Sequence, residues 1–218
     1  MDSTLVKPRA EPLGKREQTK VQNRELILDA ARKVFAELGF GATTVRDIIR
    51  ATPLASGTFY NYFKSKEEVF QAIQDDVALA IRPRLRDQRK TAKSVEEFIS
   101  GTFLTFMEFV AEDHTNFRTM RHSADTTRIR VDTPEVVAGF EELREDIEKA
   151  IQEGLFPPVD ADYLMAAIVG VAFEVAERMV QRETRDPVAA ANFATALFMG
   201  GIRTLPHADH PAARTGTA

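Results

Sequence analysis

The sequence has 218 residues and contains neither cysteine nor tryptophan. The absence of thiols excludes a disulfide framework, a thiolate metal site and a cysteine nucleophile, and it suits a reducing compartment. Long apolar runs are also missing, since the longest, residues 164–173, is far shorter than the roughly 20 residues that a membrane-spanning helix needs. The first residues include Lys and Arg instead of an apolar leader. We therefore expect a cytoplasmic protein with no signal peptide and no membrane contact.

Motifs that hold nucleotides or catalytic nucleophiles are absent as well. The sequence has no G-x-S-x-G elbow, no Walker loop and no G-x-G-x-x-G, which gives an enzyme little support. His114 and His122 invite a metal site with Asp113 and Asp125, but the two histidines lie eight positions apart across an expected helix break. We expect no cofactor, no metal and no catalytic centre.

The charge is distributed unevenly, although the formal net charge is only -4. Residues 1–66 carry twelve Lys and Arg against seven Asp and Glu, whereas residues 67–218 carry seventeen against twenty-six. Because a phosphate backbone responds to the local field, the basic N-terminal part is compatible with nucleic-acid binding. A chance fluctuation of surface charge would give the same pattern, so charge alone leaves both interpretations open.

Apolar residues recur with helical spacing along most of the chain, and no alternating strand pattern occurs. The clearest helix covers residues 24–38, with Asn23 as its cap, Gly39 as a left-handed C-terminal cap and Phe40 packing back on Phe35. Later helices are predicted to begin after capping residues at Thr44, Ser65, Ser94, Thr133, Asp160 and Asp186. The sequence therefore predicts an all-α fold.

The most informative stretch is TTVRDIIRATPLASGTFYNYFKSK, residues 43–66. It predicts a helix of about two turns, a break at Thr52-Pro53 and a second short helix, which is the pattern of a helix-turn-helix. Small residues at the front of the second helix would allow close approach to a DNA groove, and Tyr60, Tyr62 and Lys66 could reach phosphates. The alternative is an ordinary αα-hairpin in a core, with half-buried tyrosines.

TTVRDI followed by GTFYNYFKSKEEVF resembles the DNA-binding head of TetR-type transcriptional regulators, over about residues 23–75. The resemblance implies an N-terminal three-helix helix-turn-helix domain that binds double-stranded DNA, plus a C-terminal helical domain that binds a ligand and dimerises. By the same resemblance the phosphate contacts are Thr44, Arg46, Tyr60, Tyr62 and Lys66, and the candidates for groove or base contact are Ser56, Gly57, Thr58 and Asn61.

The turn departs from the family pattern, which commonly reads glycine, apolar, serine. Pro53, Leu54 and Ala55 stand there instead, so the flexible glycine and the capping hydroxyl are both absent. We expect Pro53 still to end the first helix of the motif, and we expect the missing cap to weaken the second helix by about 1 kcal/mol unless DNA or Ser56 replaces it.

The domain organisation predicted from these features has four parts. Residues 1–22 form a flexible basic arm and residues 23–66 the helix-turn-helix domain. Residues 67–203 form the effector-binding and dimerisation domain, and residues 204–218 a flexible tail. The helix that begins after Ser65 enters the body, and Pro83 should end or kink it.

The body is rich in phenylalanine and methionine, with fifteen and six in the whole chain. Core packing is the default interpretation, but the resemblance implies a cup for an effector, and this composition favours a largely apolar one. The candidate lining residues are Phe103, Phe106, Met107, Phe117, Met120, Phe140 and Phe173. Arg121 or His122 could meet a polar head group.

The last two helices are apolar on more than one side. Residues 164–173 contain no polar residue, and residues 189–202 mix small and large apolar ones. An intersubunit four-helix bundle, in which Ala190, Ala194, Gly200 and Gly201 allow close approach, would bury both helices. An intramolecular core is the alternative.

Taken together, these observations predict a homodimeric, ligand-responsive transcriptional regulator, a repressor in preference to an activator. It would bind a palindromic operator and be released by a largely apolar small molecule. Two other classes stay open: a non-specific architectural DNA-binding protein, and a small-molecule-binding or catalytic helical protein with a decayed DNA head.

Overall fold

The computed structural model describes residues 14–127 and 133–202. Over these residues the chain forms helices and turns only, which confirms the predicted all-α fold. The helices, in chain order, are α1 (Lys15–Leu38), α2 (Val45–Arg50), α3 (Ser56–Tyr60), α4 (Lys66–Thr91), α5 (Val95–Glu112), α6 (His114–Thr127), α7 (Pro134–Gln152), α8 (Ala161–Val180) and α9 (Pro187–Gly201). None of these described helices combines the length and apolar character needed to cross a membrane.

The first helices pack around a hydrophobic core of their own. Three rings lie at its centre, since Phe40 is 5.3 Å from Phe35 and 5.0 Å from Phe70 between ring centroids. Ile48 of α2 and Phe59 of α3 are buried in the same cluster. We call α1, α2, α3 and the start of α4 the head, because α4 contributes Phe70 and its neighbours to this core.

A second core fills the body. It is formed mainly by α5, α7, α8 and α9, with buried residues such as Phe103, Ile147 and Ile168. α5 and α9 share the most extensive contact of the molecule, and α4 packs against both α5 and α7. α4 is therefore the element that belongs to the head at one end and to the body at the other.

The predicted capping residues stand at the helix starts. Thr44 and Asp47 form a reciprocal capping box, in which the Thr44 N–H donates to Asp47 Oδ2 at 2.9 Å and the Asp47 N–H donates to Thr44 Oγ1 at 3.3 Å. The hydrogen bond from the Thr44 hydroxyl lowers the pKa of Asp47 below its ordinary value. Side chains also accept the N–H three residues on at Ser65, Ser94, Asp160 and Asp186, whereas Thr133 makes no such bond.

The first helix begins earlier in the chain than predicted. α1 begins at Lys15, well before the predicted cap at Asn23, so the flexible assignment is wrong for residues 15–22. These residues are mostly Lys, Arg, Glu and Gln, which favour helix by propensity but lie exposed and show no apolar spacing. The remainder of the predicted arm and the predicted tail, residues 204–218, fall outside the described residues.

Two backbone expectations also need correction. Gly39 ends α1 with φ 75° and ψ 153°, which is a conformation for glycine but not the left-handed helical one that was expected. An end of α4 at Pro83, one of the two outcomes expected there, does not occur, since the helix continues to Thr91. The proline removes one hydrogen bond to the carbonyl of Leu79, and both residues lie on the exposed side of the helix, where water can replace that bond.

Candidate DNA interface and ligand cavity

α2 and α3 form the predicted helix-turn-helix, joined by a turn at residues 51–55. The turn is stabilised by Thr52, whose hydroxyl donates to the Ile49 carbonyl at 2.8 Å and accepts the Leu54 N–H at 3.2 Å. Leu54 packs against the head core from the turn. Thr52 thus supplies local hydrogen bonds in a turn whose usual glycine and serine are missing, a role that the sequence analysis did not assign.

The start of α3 has no side-chain cap, as the sequence predicts. Ala55 occupies the capping position in an extended conformation, with φ -66° and ψ 147°. The next two residues, Ser56 and Gly57, are exposed. A Cβ added at Gly57 would meet no atom within 4 Å, so nothing inside the subunit requires glycine there. The absence of a side chain keeps this surface open to an external partner.

The other predicted DNA-contacting residues lie on or beside this surface. Thr44, Arg46 and Asn61 are exposed, and Thr58 is half-buried. The tyrosines differ: Tyr60 is 58% exposed with its ring edge-on to Phe59, whereas Tyr62 is half-buried against the head core. The half-buried packing considered for both tyrosines in an αα-hairpin therefore applies to Tyr62 alone.

Lys66 lies in a different environment from the one expected of a phosphate anchor. Its Nζ donates to the carbonyls of Phe40 and Thr43 at 2.7 Å each and to that of Gly41 at 3.3 Å. The same ammonium lies 4.6 Å from the centre of the Phe40 ring. Because an ammonium has three donors, these bonds use all of them. Lys66 joins the start of α4 to the α1–α2 loop, and a phosphate could reach it only by displacing one of these carbonyls.

A cavity of about 690 Å³ lies in the body. Its wall includes several phenylalanine rings: Phe106 and Phe117 lie 5.1 Å and 6.1 Å from Phe173 between ring centroids, and Phe140 of α7 also lines it. Of the effector-contacting candidates, Phe106, Phe117, Arg121, Phe140 and Phe173 line this cavity. The volume falls in the range of about 300–1,000 Å³ that is typical of small-molecule sites.

Two candidates from α5 do not reach the cavity. Phe103 and Met107 are completely buried in the body core, where the Phe103 ring lies 5.4 Å from that of Phe198 in α9. α5 is apolar on one side toward α9 and on another toward the cavity, and spacing alone does not distinguish these sides. The side chains of Met120 and His122 lie outside the described residues.

Charged groups at the cavity wall are paired. Arg82 of α4 donates to Glu135 Oε2 and Glu142 Oε1 of α7, each at 2.5 Å. The hydrogen bond from Arg82 lowers the pKa of Glu142, and the Glu142 carboxylate in turn raises that of Arg82. Arg121 is paired with Glu174 and lies against the face of Phe173. These pairs join helices around a mainly apolar interior.

Further polar groups at the cavity wall lie on α1 and α4. The buried Arg89 donates from Nε to Asp146 Oδ2 at 2.7 Å. Asp76 of α4 accepts from Arg24 of α1 at 3.3 Å and pairs with Arg32 of α1 at 3.7 Å, so the cavity extends to the junction between head and body. Gln74, which is not among the residues predicted from the sequence, lines the same region. The sequence feature that could have identified it is a glutamine at a position in the apolar stripe of α4.

The metal site considered at His114 and His122 has no supporting cluster in the part of the chain that the structure describes. Within residues 14–127 and 133–202, no group of three or more His, Asp or Glu side chains has the arrangement needed to hold a metal ion. His114 begins α6, and the side chains of His122 and Asp125 are among those not described.

A helix-turn-helix head on a helical body with an apolar cavity is the architecture of a ligand-binding transcriptional regulator. Residues 27–73 match the family model described as bacterial regulatory proteins, tetR family. The HTH-type transcriptional regulator YhgD of Bacillus subtilis is 24% identical over 147 residues, which cover 65% of this chain and 76% of YhgD. The HTH-type transcriptional repressor KstR2 of Mycolicibacterium smegmatis is 34% identical over 91 residues, 42% of this chain and 44% of KstR2.

Solved structures share the whole fold. The fatty acid degradation regulator FadR from Bacillus halodurans is 25% identical with a TM-score of 0.72, over 88% of this chain and 99% of that one. FadR from Bacillus subtilis, solved in complex with stearoyl-CoA, is 23% identical with a TM-score of 0.71, over 82% and 98%. The tetR-family match over residues 27–73 and the fold shared with these regulators support a TetR-type transcriptional regulator.

Proposed function

We propose that this chain is a homodimeric repressor that binds a palindromic operator through two heads and releases it when a largely apolar molecule fills the body cavity. The observation that carries the proposal is the position of the cavity, whose wall includes Asp29 and Arg32 of α1 as well as α4 and the body helices. A ligand in that position contacts the helices that hold the head. Its binding free energy can therefore favour one setting of the head over another.

The DNA-binding part of the proposal rests on the surface formed by α2 and α3. Ser56, Gly57 and Asn61 lie exposed around a short helix with an uncapped N-terminus, and Thr44 and Arg46 lie at the start of α2. In a symmetric dimer two such helices about 34–36 Å apart would enter successive major grooves, so the operator should be an inverted repeat. The relative named as a repressor favours repression over activation.

The dimer part rests on an apolar face of α8 and α9 that lies uncovered in the single subunit. Tyr163 is 79% exposed, Phe193 64% and Leu197 56%. Ala166, Ala167 and Gly170 of α8 and Gly200 of α9 are exposed beside them and would allow two helices to approach closely. Ala194, which was predicted for this face, is instead completely buried inside the subunit. Covering this face with a second copy would form a four-helix bundle.

The effector part rests on the aromatic cavity and on the names of two relatives of the same fold. One is a regulator of fatty acid degradation and another was solved with stearoyl-CoA. We propose that the effector of this chain carries a long aliphatic chain that packs among Phe106, Phe117 and Phe173. Apolar contact with such rings is the dominant favourable contribution in a cavity of this kind.

A gel-shift experiment tests the proposal. The full chain is mixed with the promoter region beside its own gene and with a random duplex of equal length, at several salt concentrations. We expect a selective, salt-sensitive complex with the promoter only, and we expect stearoyl-CoA, but not coenzyme A, to release it. Equal binding to both duplexes would instead indicate an architectural protein. Absence of any complex would contradict DNA binding altogether.

A further inference from the structure

Gln74 is a buried amide in the wall of the cavity. The residue is only 2% exposed and lies in α4, directly after the buried Ile73 and two positions before the ion-paired Asp76. Its Oε1 is buried and accepts no hydrogen bond. A buried acceptor without a donor costs free energy comparable to a lost hydrogen bond, so such atoms are rare in native proteins.

Gln74 differs in this respect from the other polar residues around it. Among the described residues that line the cavity, it is the one with a buried side-chain atom that lacks a partner. Arg82, Arg89 and Arg121 are all paired with carboxylates, and Asp76 accepts from two arginines of α1. The protein therefore satisfies the charges of the wall and leaves one neutral acceptor unsatisfied.

We propose that Gln74 is a specificity-determining residue that accepts a hydrogen bond from a hydroxyl group on the aliphatic effector. A hydroxyl supplies the missing donor and carries no charge, so it costs little to bury. A carboxylate has no proton to donate and would face the unpaired oxygen. An ammonium would need a counter-ion at the cavity wall; Asp75, next to Gln74, is not among the lining residues, and Asp76 is already held by Arg24 and Arg32.

The position of Gln74 also gives the hydroxyl a regulatory consequence. Gln74 lies two residues before Asp76, which joins α4 to α1 of the head. A ligand that reaches Gln74 therefore extends along the cavity to the junction between head and body. An unsubstituted aliphatic ligand can fill the part of the cavity lined by phenylalanine rings. Only a hydroxylated ligand completes the hydrogen bonding at the Gln74 end. This inference rests on the proposed effector-binding function.

Two isomeric probes, 1-undecanol and decyl methyl ether, test the inference because they share a formula and an oxygen atom but only the alcohol can donate. Their affinities for the full chain are obtained from the concentration dependence of Tm, measured by far-ultraviolet circular dichroism. We expect the alcohol to bind about five- to tenfold more tightly than the ether. Equal affinities for the wild-type chain would overturn the role of Gln74 while leaving an apolar effector site in place.

Three variants test whether Gln74 causes the preference for the alcohol over the ether. Gln74→Met has a similar volume but no acceptor amide, and it should bind both probes about equally. Gln74→Glu keeps an acceptor oxygen and should retain the preference for the alcohol. Phe109→Leu, elsewhere on the wall, should weaken both probes by the same factor. A preference that persists in Gln74→Met would contradict the inference.

The outcome also separates this inference from the proposed function. Operator binding is measured on the same preparations without ligand. If neither probe raises the Tm of a chain that binds its operator, the apolar effector site and the Gln74 subsite both fail, whereas the DNA-binding part stands. If the operator does not bind but the alcohol is preferred, the repressor proposal fails and the subsite stands.

Discussion

Lys66 shows how a residue type that matches a DNA-binding motif can be used for internal structure. Three carbonyls around the α1–α2 loop hold its ammonium, and the Phe40 ring lies under it. The resemblance to TetR-type heads predicts a phosphate contact at this position. The hydrogen bonds indicate a different role, in which the charge satisfies carbonyls that follow the end of α1.

Replacement of Lys66 by methionine should therefore reduce stability. Losing charge-assisted hydrogen bonds to three carbonyls should lower the free energy of unfolding by about 1.5–3 kcal/mol, as measured by urea denaturation. Lys64→Met, at an exposed neighbour, is the matched control and should change it little. A Lys66→Met chain of unchanged stability that binds its operator more weakly would restore the phosphate role.

Asn61 is a candidate for contact with DNA, either at a base edge or at a phosphate. It is exposed at the end of α3, and its amide offers both a donor and an acceptor. If it contacts a base edge, Asn61→Ala should reduce operator affinity by about 1–3 kcal/mol and relax the preference at one base pair, as measured on a set of single-substitution operators. Tyr60→Phe is expected to remove a phosphate contact, so it should lower the affinity for every operator in the set by the same factor. If Asn61→Ala instead weakened binding to all of the operators equally, Asn61 would be assigned to a contact with the DNA phosphate backbone.

At the scale of helices, Arg82 is a bridge between α4 and α7. Its bonds to Glu135 and Glu142 join two helices that both line the cavity. Because Arg82 lowers the pKa of Glu142 in the folded state, the pair adds stability above the unfolded-state pKa of about 4.3. That contribution is lost as the pH falls through the lower, folded-state pKa.

Glu142→Gln should accordingly reduce stability by about 0.5–1 kcal/mol near neutral pH, because the pair is partly solvated. The difference from wild type should shrink progressively as the pH falls below about 4. Urea denaturation at a series of pH values measures both effects. Glu145→Gln, at an exposed position of the same helix, provides the control. A difference that stays constant down to the lowest pH would show that the carboxylate charge is not responsible.

The sequence predicts where helices begin better than it predicts which neighbours each side of a helix packs against. Hydroxyl and carboxylate caps are local signals, and those at Ser65, Ser94 and Asp160 appear where expected. Residues 15–22 were missed because exposed helix has no apolar period. Phe103 and Phe106, both of α5, belong to the core and to the cavity respectively, and their side chains are identical in type. Only the tertiary structure separates them.

At the scale of the whole molecule, the head, the cavity and the exposed face of α8 and α9 are joined through a small number of helices. α4 connects the head to the cavity, and α8 contributes Phe173 to the cavity as well as Tyr163 to the exposed face. In the proposed dimer, a change in ligand occupancy would therefore alter both the setting of a head and the relation of the two subunits. Coupling of about 1–3 kcal/mol would change operator affinity roughly 5- to 150-fold.

The exposed face provides the last prediction, because operator binding by two heads requires the dimer. Leu197→Glu places a charge in the middle of the proposed interface, where burial without a partner would be strongly unfavourable. Analytical ultracentrifugation should show the variant as a single subunit at concentrations where the wild type is a dimer. Val137→Glu, at an exposed apolar residue of α7, should leave the dimer intact.

The Leu197→Glu single subunit should keep its helical content and its affinity for 1-undecanol, since the head core and the cavity are built within one chain. It should nevertheless lose most of its operator affinity, because each head alone contacts only one half-site. A Leu197→Glu chain that remains a dimer would assign subunit contact to another surface.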